Sequence, residues 1–232
     1  GACDAQRARA VLRRRALRRT HGELMNGSEA SGGVCAELRH DLRDALVEAA
    51  RGALRGVDEV ALWDFPAHGN RGDSAIWSGE VALLRRLNVS VRTDLVCSSF
   101  VPVAAAPACD GWLEDEGQKL RRAFPPSSTR ALVLHGGGNV GPEYPPYEEF
   151  RKNVVETFGR DYRVVLMPQT VTYADEAASS LNFWRAAANA TLLGRDALSV
   201  KLLHVHACGG GVFCRAALAP DAAFALTSVA PP

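Results

Sequence analysis

The chain has 232 residues, the length of one large domain or two small ones, and 47% of them are hydrophobic. That apolar content is enough for a packed core and excludes a disordered or collagen-like chain. The formal net charge of +1 argues against nucleic acid as a partner. No stretch of about 18 consecutive apolar residues occurs, which argues against a membrane span in this chain.

The positive charge is concentrated at the start of the chain. Residues 1–20 contain seven arginines and a single acidic residue, Asp4, whereas the remainder is net acidic. Such a segment is typical of a poorly ordered leader, a transit peptide or the flank of a membrane anchor. Residues 21–35 are rich in Gly, Ser and Asn and predict a flexible connector. We therefore expect a basic leader and linker over residues 1–35 and one domain over residues 36–232.

Cysteines and glycosylation sequons bear on the compartment and on metal binding. The six cysteines include no C-x-x-C pair and no Cys/His spacing of a zinc module, so no metal site is predicted. Their even number permits disulfides in an oxidising compartment without requiring them. Sequons at Asn26, Asn88 and Asn189 slightly favour the secretory pathway or Golgi lumen. The arginine-rich start points instead to an organelle, and the cytoplasm stays open.

After the linker, amphipathic helices alternate with short apolar strands. Apolar residues recur at helical spacing from Leu38 to Ala53 and predict a helix ending near Gly56. Strands are predicted at 60–63, 91–96, 131–134, 164–167, 191–193 and 216–219. Further helices are predicted at about 75–87, 112–123, 146–158, 175–189 and 196–206. This alternation is typical of a parallel sheet with right-handed crossovers, so the predicted fold is a doubly wound, Rossmann-like α/β domain.

Four loops are predicted at one edge of this sheet. In an open parallel sheet, the loops at the carboxyl ends of the strands converge on a crevice, where ligands bind. The loops that belong there cover residues 66–73, 135–141, 168–173 and 194–196. Their shared location is the strongest sign of function that the residues carry by themselves.

The first loop runs from Gly69 through Asn70 and Arg71 to Asp73, where a helix begins. Its glycines allow close backbone approach, and a helix N-terminus favours an anion. Asp73 fits two roles, as the N-cap of the helix or as a carboxylate that takes a proton from a hydroxyl. The loop lacks the G-x-G-x-x-G spacing of dinucleotide sites and the lysine of a Walker loop.

The second loop is a run of three glycines ending at Gly138, followed by Asn139. These glycines either let a ligand approach the backbone or form a tight turn that packing requires. His135 and His68 are both predicted at strand ends facing the crevice. Each is a candidate acid/base or anion-binding residue, and a structural histidine is the alternative.

The third and fourth loops add polar and cationic candidates. Gln169 and Thr170 come just after a buried strand, as crevice side chains or as loop residues with local hydrogen bonds. Arg195 precedes Asp196, a natural helix cap. An arginine at this place suits a phosphate or carboxylate through paired hydrogen bonds, and a surface ion pair is the alternative.

Five short motifs occur in order between about residues 58 and 226. They are Gly69-Asn70-Arg71-Gly72-Asp73-Ser74-Ala75-Ile76, Leu134-His135-Gly136-Gly137-Gly138-Asn139, Leu166-Met167-Pro168-Gln169-Thr170-Val171, Arg195-Asp196-Ala197-Leu198-Ser199 and Pro220-Asp221-Ala222-Ala223-Phe224. In their order and approximate spacing they resemble the polysaccharide pyruvyl transferase family.

This resemblance implies a fold, a reaction and a set of site residues. Members of the family resemble GT-B glycosyltransferases with two Rossmann-like domains around a cleft. They transfer pyruvate from phosphoenolpyruvate to two hydroxyls of a sugar as a cyclic ketal, so the implied partner is a glycan acceptor and no separate cofactor is expected. By analogy Asp73 is the base or an acceptor-binding residue. With the candidates from the loops, the predicted catalytic residues are Asp73 and His135. The predicted substrate-binding residues are His68, Asn70, Arg71, Gly137, Gly138, Asn139, Gln169, Thr170 and Arg195.

The resemblance stops near Phe224, where the first domain of the family hands over to the second. Because the second domain supplies much of the donor site, we expect a truncated enzyme with that domain absent, or a degenerate half-enzyme. Two alternatives stay open: a non-catalytic glycan-binding or scaffold half-domain, and half of a nucleotide-sugar glycosyltransferase.

Overall fold

A computed structural model describes residues 31–99, 108–173, 184, 187, 189–208 and 214–226. The chain divides into two compact units, Gly1–Leu42 and Arg43–Pro232. Residues 1–30, most of the predicted leader and linker, lie outside the described residues, so that part of the prediction stays untested. The prediction of a flexible connector is wrong for residues 31–35, because they belong to a helix that covers Ser31–Ala53.

Helices and strands alternate along the described part of the chain. The helices are α1 (Ser31–Ala53), α2 (Arg71–Arg86), α3 (Asp110–Leu113), α4 (Gln118–Ala123), α5 (Pro145–Phe158) and α6 (Ala197–Leu202). The strands are β1 (Glu59–Trp63), β2 (Ser90–Val91), β3 (Arg130–Leu134), β4 (Gly137–Val140), β5 (Arg163–Val171), β6 (Ala190–Gly194) and β7 (Cys214–Leu218). Short 3-10 turns lie at Thr93–Leu95, Asp115–Gly117 and Ala222–Ala225, and a π-helical turn at Leu203–Cys208.

The described strands form one parallel sheet in the order β2-β1-β3-β5-β6-β7, with β4 paired to β5. The first half of β5 pairs with β3 and its second half with β4. β4 therefore continues β3 beyond His135 and Gly136. The predicted doubly wound α/β fold is confirmed.

Both faces of the sheet are buried, which explains why its strands are unbroken apolar runs in the sequence. On one face Trp63 of β1 packs edge-on against Phe158 of α5, with ring centroids 5.6 Å apart. On the other face Leu62 lies in a cluster with Leu46 of α1 and Leu83 of α2. Successive residues of a strand thus serve opposite cores, as the two-residue repeat of a β-strand requires.

The strand predicted over residues 91–96 is wrong beyond its start. β2 ends at Val91, and the chain turns into a 3-10 helix. Arg92 binds Asp94 two residues on, with Nε 2.8 Å from Oδ1. The 3-10 turn rises about 2.0 Å per residue, against about 3.3 Å in a strand, so it brings residues two positions apart closer together than an extended strand does.

The helix predicted over residues 112–123 is divided into α3 and α4. Asp115, Glu116 and Gly117 between them have φ values of 51°, 53° and 74°. These left-handed conformations do not occur inside a right-handed helix. The apolar spacing continues across the break, which is why the sequence predicts one helix.

Of the two helices predicted near the carboxyl-terminal end of the chain, one is partly confirmed and one stays untested. The helix expected over residues 196–206 is a regular α-helix only to Leu202 and continues as a π-helical turn. The helix expected over residues 175–189 lies mostly outside the described residues and stays a prediction. Among the helices that are described, none is long and apolar enough to cross a bilayer.

The strand order places the crevice. The connection after β1 leads to β2 on one side of β1, whereas the connection that follows β3 leads to β5 on the opposite side of β3. Because the two connections run in opposite directions, a gap lies between them at the carboxyl ends of β1 and β3. Doubly wound sheets bind ligands in such a gap. The residues that follow β1 and β3, from Asp64 and from His135, therefore line this gap.

Candidate active site

Asp64 directly follows β1 and is only 2% exposed. Its φ of 73° is in the left-handed region, which is costly for a residue with a side chain. The carboxylate accepts a hydrogen bond from the Ser99 hydroxyl and pairs with the Arg151 guanidinium, Oδ2 to Nη2 3.2 Å. A strained backbone is thus combined with a buried ion pair where β1 opens into the crevice.

Arg151 of α5 is fully buried, and its guanidinium joins several elements. Nη1 donates to the Tyr147 carbonyl at 3.0 Å, and Nη2 donates to the His135 carbonyl at 3.2 Å. Burial lowers the pKa of Arg151, and the negative charge of Asp64 opposes that effect. The pair therefore binds α5 to the ends of β1 and β3.

Glu80 of α2 is fully buried and holds the end of β3. Its Oε2 is 2.8 Å from Nδ1 of His135, and its Oε1 accepts the Gly136 amide at 2.8 Å. Burial lowers the pKa of His135, but the charge and hydrogen bond of Glu80 raise it by more, so the net shift is upward. Nε2 of His135 is buried without a hydrogen-bond partner among the described residues.

Gln169 of β5 completes the buried group. It is fully buried, and its Nε2 donates to the His135 carbonyl at 2.7 Å. We use the name floor for this buried polar group, which consists of Asp64, Glu80, His135, Arg151 and Gln169. The predicted substrate-binding residue Gln169 thus lies beneath the crevice.

Asp73 lies at the exposed side of the crevice, in the first turn of α2. The N-cap of α2 is Asn70, whose Oδ1 accepts the Gly72 amide at 2.9 Å, so the alternative that Asp73 is the cap is wrong. Asp73 Oδ2 receives the Asn70 side-chain amide at 2.9 Å and lies 3.4 Å from Nε2 of His68. We call His68, Asn70 and Asp73 the rim. Arg71 is exposed beside it.

Arg195 forms a third group, which links the ends of β5 and β6 to the 3-10 turn after β7. Its Nη1 pairs with Asp221 Oδ2 at 2.5 Å. Its Nε and Nη2 donate to the Thr170 hydroxyl at 3.0 and 2.8 Å. A side chain on Gly138 would come within 3.5 Å of Nη2, so Gly138 lies directly beside this cation. We call Gly138, Thr170, Arg195 and Asp221 the arginine cluster.

The surroundings of the three glycines after β3 differ. A Cβ on Gly136 would lie 2.8 Å from the Pro168 carbonyl and 3.1 Å from Glu80, so close packing requires glycine there. Gly137 has φ 125°, which side chains rarely adopt. Gly138 faces Arg195 and leaves space beside the cation. The side chain of Asn139 lies outside the described residues.

The arrangement brings most predicted site residues to one edge of the sheet but in separate layers. His68 and Asp73 are together at the rim, whereas His135 lies beneath with Glu80. Four polar residues that hold these layers were not predicted as site residues: Asp64, Glu80, Arg151 and Asp221, of which Asp221 is part of the fifth motif. Glu80 and Arg151 each lie on the apolar face of an amphipathic helix, and that position is the signal that identifies a buried charge in a sequence.

Comparison with known proteins identifies the family to which this chain belongs. The family described as "Polysaccharide pyruvyl transferase" matches residues 70–232. The chain belongs to this family. The match begins at Asn70, the N-cap of α2, and therefore includes Asp73, most of the floor and all of the arginine cluster.

Two curated proteins are similar to this chain. "Pyruvyl transferase 1" of Schizosaccharomyces pombe is 35% identical over 147 residues, 61% of this chain and 32% of that protein. "Putative pyruvyl transferase EpsO" of Bacillus subtilis is 28% identical over 118 residues, 51% of this chain and 30% of that protein. The matched region of this chain thus spans about a third of the length of each of these proteins.

Proposed function

We propose that this chain carries the acceptor side of an enzyme that transfers pyruvate from phosphoenolpyruvate to two hydroxyls of a glycan. The observation that carries the proposal is Asp73, a carboxylate at the crevice inside the region that matches the family. Its side chain keeps 15% of its surface exposed, while the floor beneath it is closed to solvent. Asp73 is therefore the carboxylate that a sugar hydroxyl reaches.

The reaction sets the requirements for such a site. A proton added to the methylene carbon of phosphoenolpyruvate makes C2 electrophilic, and one hydroxyl oxygen bonds to C2. The C2–O bond to phosphate breaks, and the second hydroxyl oxygen bonds to C2 to close the ketal. Of the two hydroxyl protons, one balances the new methyl group and the other leaves with phosphate. A base for the hydroxyls and a cation for the donor are therefore required.

Asp73 fits the role of that base by its geometry. Its contacts with Asn70 and His68 are both made by Oδ2. Neither contact uses Oδ1, which is the oxygen that we propose takes the proton of a sugar hydroxyl. His68 and Asn70 fix the orientation of the carboxylate, and preorganisation of this kind is what makes a base effective.

Arg195 is the proposed contact for the anionic donor. Gly138 beside it leaves space for a carboxylate or phosphate oxygen. The guanidinium is shared with Asp221 and Thr170, so a donor bound there would compete with Asp221 for Nη1. The burial of His135 supports a positioning role next to Glu80, with no direct contact to substrate.

A non-catalytic glycan-binding domain is the second candidate. It is favoured by the Arg195–Asp221 ion pair, in which the cation already has a carboxylate partner. The two candidates differ in one outcome, because only the enzyme converts phosphoenolpyruvate and an acceptor into a ketal.

The test uses the full-length protein with phosphoenolpyruvate and galactoside or mannoside acceptors, following ketal formation by NMR and phosphate release. We expect transfer, and we expect Asp73→Asn to lower kcat/KM by about 10²-fold or more, since a positioned base contributes that much. Ser78→Ala, on the exposed side of the same helix, is the matched control. Full transfer by Asp73→Asn would remove Asp73 as the base, and no ketal from the unaltered protein would contradict the proposed activity.

A further inference from the structure

Two tyrosines at the start of α5 form an aromatic surface beside the crevice. The Tyr144 side chain belongs to the exposed large apolar residues of the described chain, with 45% of its surface accessible. Its ring meets that of Tyr147 edge-on, with centroids 6.2 Å apart and planes at 79°. Prolines 142, 145 and 146 flank the pair, and their fixed φ angles limit its backbone motion.

Tyr147 contacts Arg151 of the floor, and this contact places the aromatic surface next to the floor. The Arg151 guanidinium lies 5.9 Å from the centre of the Tyr147 ring and donates to the Tyr147 carbonyl. The same guanidinium pairs with Asp64 at the end of β1. Tyr147 therefore stands at the gap between β1 and β3, on the side of α5.

The surroundings of Tyr147 also relate it to the rim. Burial raises the pKa of Tyr147 to about 12, and the charges of Asp64 and Asp73 contribute to the rise. The phenol therefore stays protonated at neutral pH and is able to donate a hydrogen bond.

From this geometry we propose that Tyr144 and Tyr147 form a stacking surface for a sugar ring of the glycan acceptor, next to the sugar whose hydroxyls reach Asp73. This inference rests on the proposed function. One face of a pyranose ring presents C–H groups and packs on an aromatic ring, while its hydroxyls at the edge bind polar groups. Tyrosine combines an apolar ring with a polar tip and suits such a ligand.

The chemistry of the other substrate argues for the glycan at this surface. Phosphoenolpyruvate is small and anionic, and the face of an aromatic ring carries partial negative charge, which disfavours an anion. One exposed tyrosine is also too small for a stable protein interface, which buries about 1,200 Å² or more.

The test compares Tyr144→Ala, Tyr144→Phe and the unaltered full-length protein. We expect Tyr144→Ala to raise the KM for the acceptor oligosaccharide about three- to tenfold, the loss expected for one aromatic contact. We expect kcat and the KM for phosphoenolpyruvate to stay within about twofold, because the tyrosine does not touch the reacting atoms. Tyr144→Phe keeps the ring and should behave as the unaltered protein. Val205→Ala, another exposed apolar residue, is the control for a general effect of surface truncation.

A binding experiment without phosphoenolpyruvate separates this inference from the proposed activity. Galactoside and mannoside oligosaccharides are titrated against the same proteins, and saturation-transfer NMR reports sugar protons close to aromatic rings. Weaker binding by Tyr144→Ala supports the stacking surface even if no ketal is formed by any protein. An unchanged affinity and unchanged acceptor KM in Tyr144→Ala, or a raised KM for phosphoenolpyruvate alone, would overturn it.

Discussion

Arg151 and Asp64 form an ion pair that has almost no access to water, since the exposed fractions of the two side chains are 0% and 2%. Removing two charges from water is costly, and the pair repays that cost only while both partners are present. Hydrogen bonds from Ser99 to Asp64 and from Arg151 to two carbonyls add partners, whereas Nε of Arg151 is buried without a hydrogen-bond partner among the described residues. The stability of the floor therefore depends on each member of the pair.

Arg151→Met is expected to lower the free energy of unfolding by about 3–5 kcal/mol, because it leaves the Asp64 carboxylate buried and unpaired. Urea denaturation measures the change. Lys152→Met is the matched control: Lys152 is the next residue of α5, half exposed, and we expect an effect within about 0.5 kcal/mol. A loss in Arg151→Met as small as that of the control would show that the pair does not hold the floor.

The His135–Glu80 contact predicts a dependence of stability on pH. The pKa of His135 is raised in the folded protein, because Glu80 outweighs the effect of burial and Asp64 adds to it, while Arg151 opposes. Protonated His135 therefore stabilises the fold fully below its ordinary pKa of about 6.5, and this contribution is lost as pH rises through the raised pKa.

Glu80→Gln removes the charge that raises this pKa. Burial then governs His135 and favours its neutral form, so the variant should no longer lose stability as pH rises above 6.5. Urea midpoints measured between about pH 5.5 and 9 test the prediction. Parallel pH profiles for the variant and the unaltered protein would contradict it.

At the scale of elements, the Cys97–Cys109 disulfide connects the segment after β2 to α3. Both cysteines are fully buried. The Cys97 carbonyl accepts the Phe65 amide at 2.8 Å, and Ser99 binds Asp64, so this segment supports the loop after β1.

Replacing both cysteines by alanine is expected to lower the free energy of unfolding by about 3 kcal/mol, the loop-closure entropy for a bridge between residues this far apart. Denaturation is compared without reductant, because Cys208 is also disulfide-bonded and would open with it. Thr93→Ser, an exposed change in the same segment, is the control. Equal stability of the double variant and the unaltered protein would contradict a structural role for this bridge.

At the scale of the whole molecule, the segment after the last strand returns to α2, the first helix of the site. Gly79 of α2 lies against the backbone of Ala222, where an added Cβ would be 2.0 Å from the carbonyl oxygen. Asp221, one residue earlier, binds Arg195. The close approach at Gly79 therefore helps to place the carboxylate that holds the arginine cluster.

Gly79→Ala is expected to lower the free energy of unfolding by about 1–3 kcal/mol or more, since a methyl group has no space against that backbone. The matched control is Gly52→Ala in α1, where nothing lies within 4 Å of the added Cβ. That change should stabilise the protein by about 0.4–1 kcal/mol, because alanine restricts the unfolded chain more than glycine does. Equal effects of the two substitutions would contradict close packing at Gly79.

Much of the fold is predictable because it follows from local periodicity. Apolar spacing predicted α2 and α5 and the central strands, since residues buried on one or both faces repeat at the period of their own element. The predicted secondary structure was wrong where side-chain contacts or strand pairing changed the backbone conformation. The strand at β2 ends early beside the Arg92–Asp94 pair, and the Gly137–Val140 segment, expected as a loop, is a strand because β5 pairs with it.

The sequence by itself determined the fold class, the edge of the sheet where the candidate site lies, and the family, because hydrophobic periods and ordered motifs are written along the chain. Only the tertiary structure decided which polar residues are buried and which face the crevice. Asp64 and Arg151, or Glu80 and His135, are distant in sequence, and their burial and pairing arise from the packing of helices on the sheet. The same packing left Asp73 at the rim, with its side chain partly exposed.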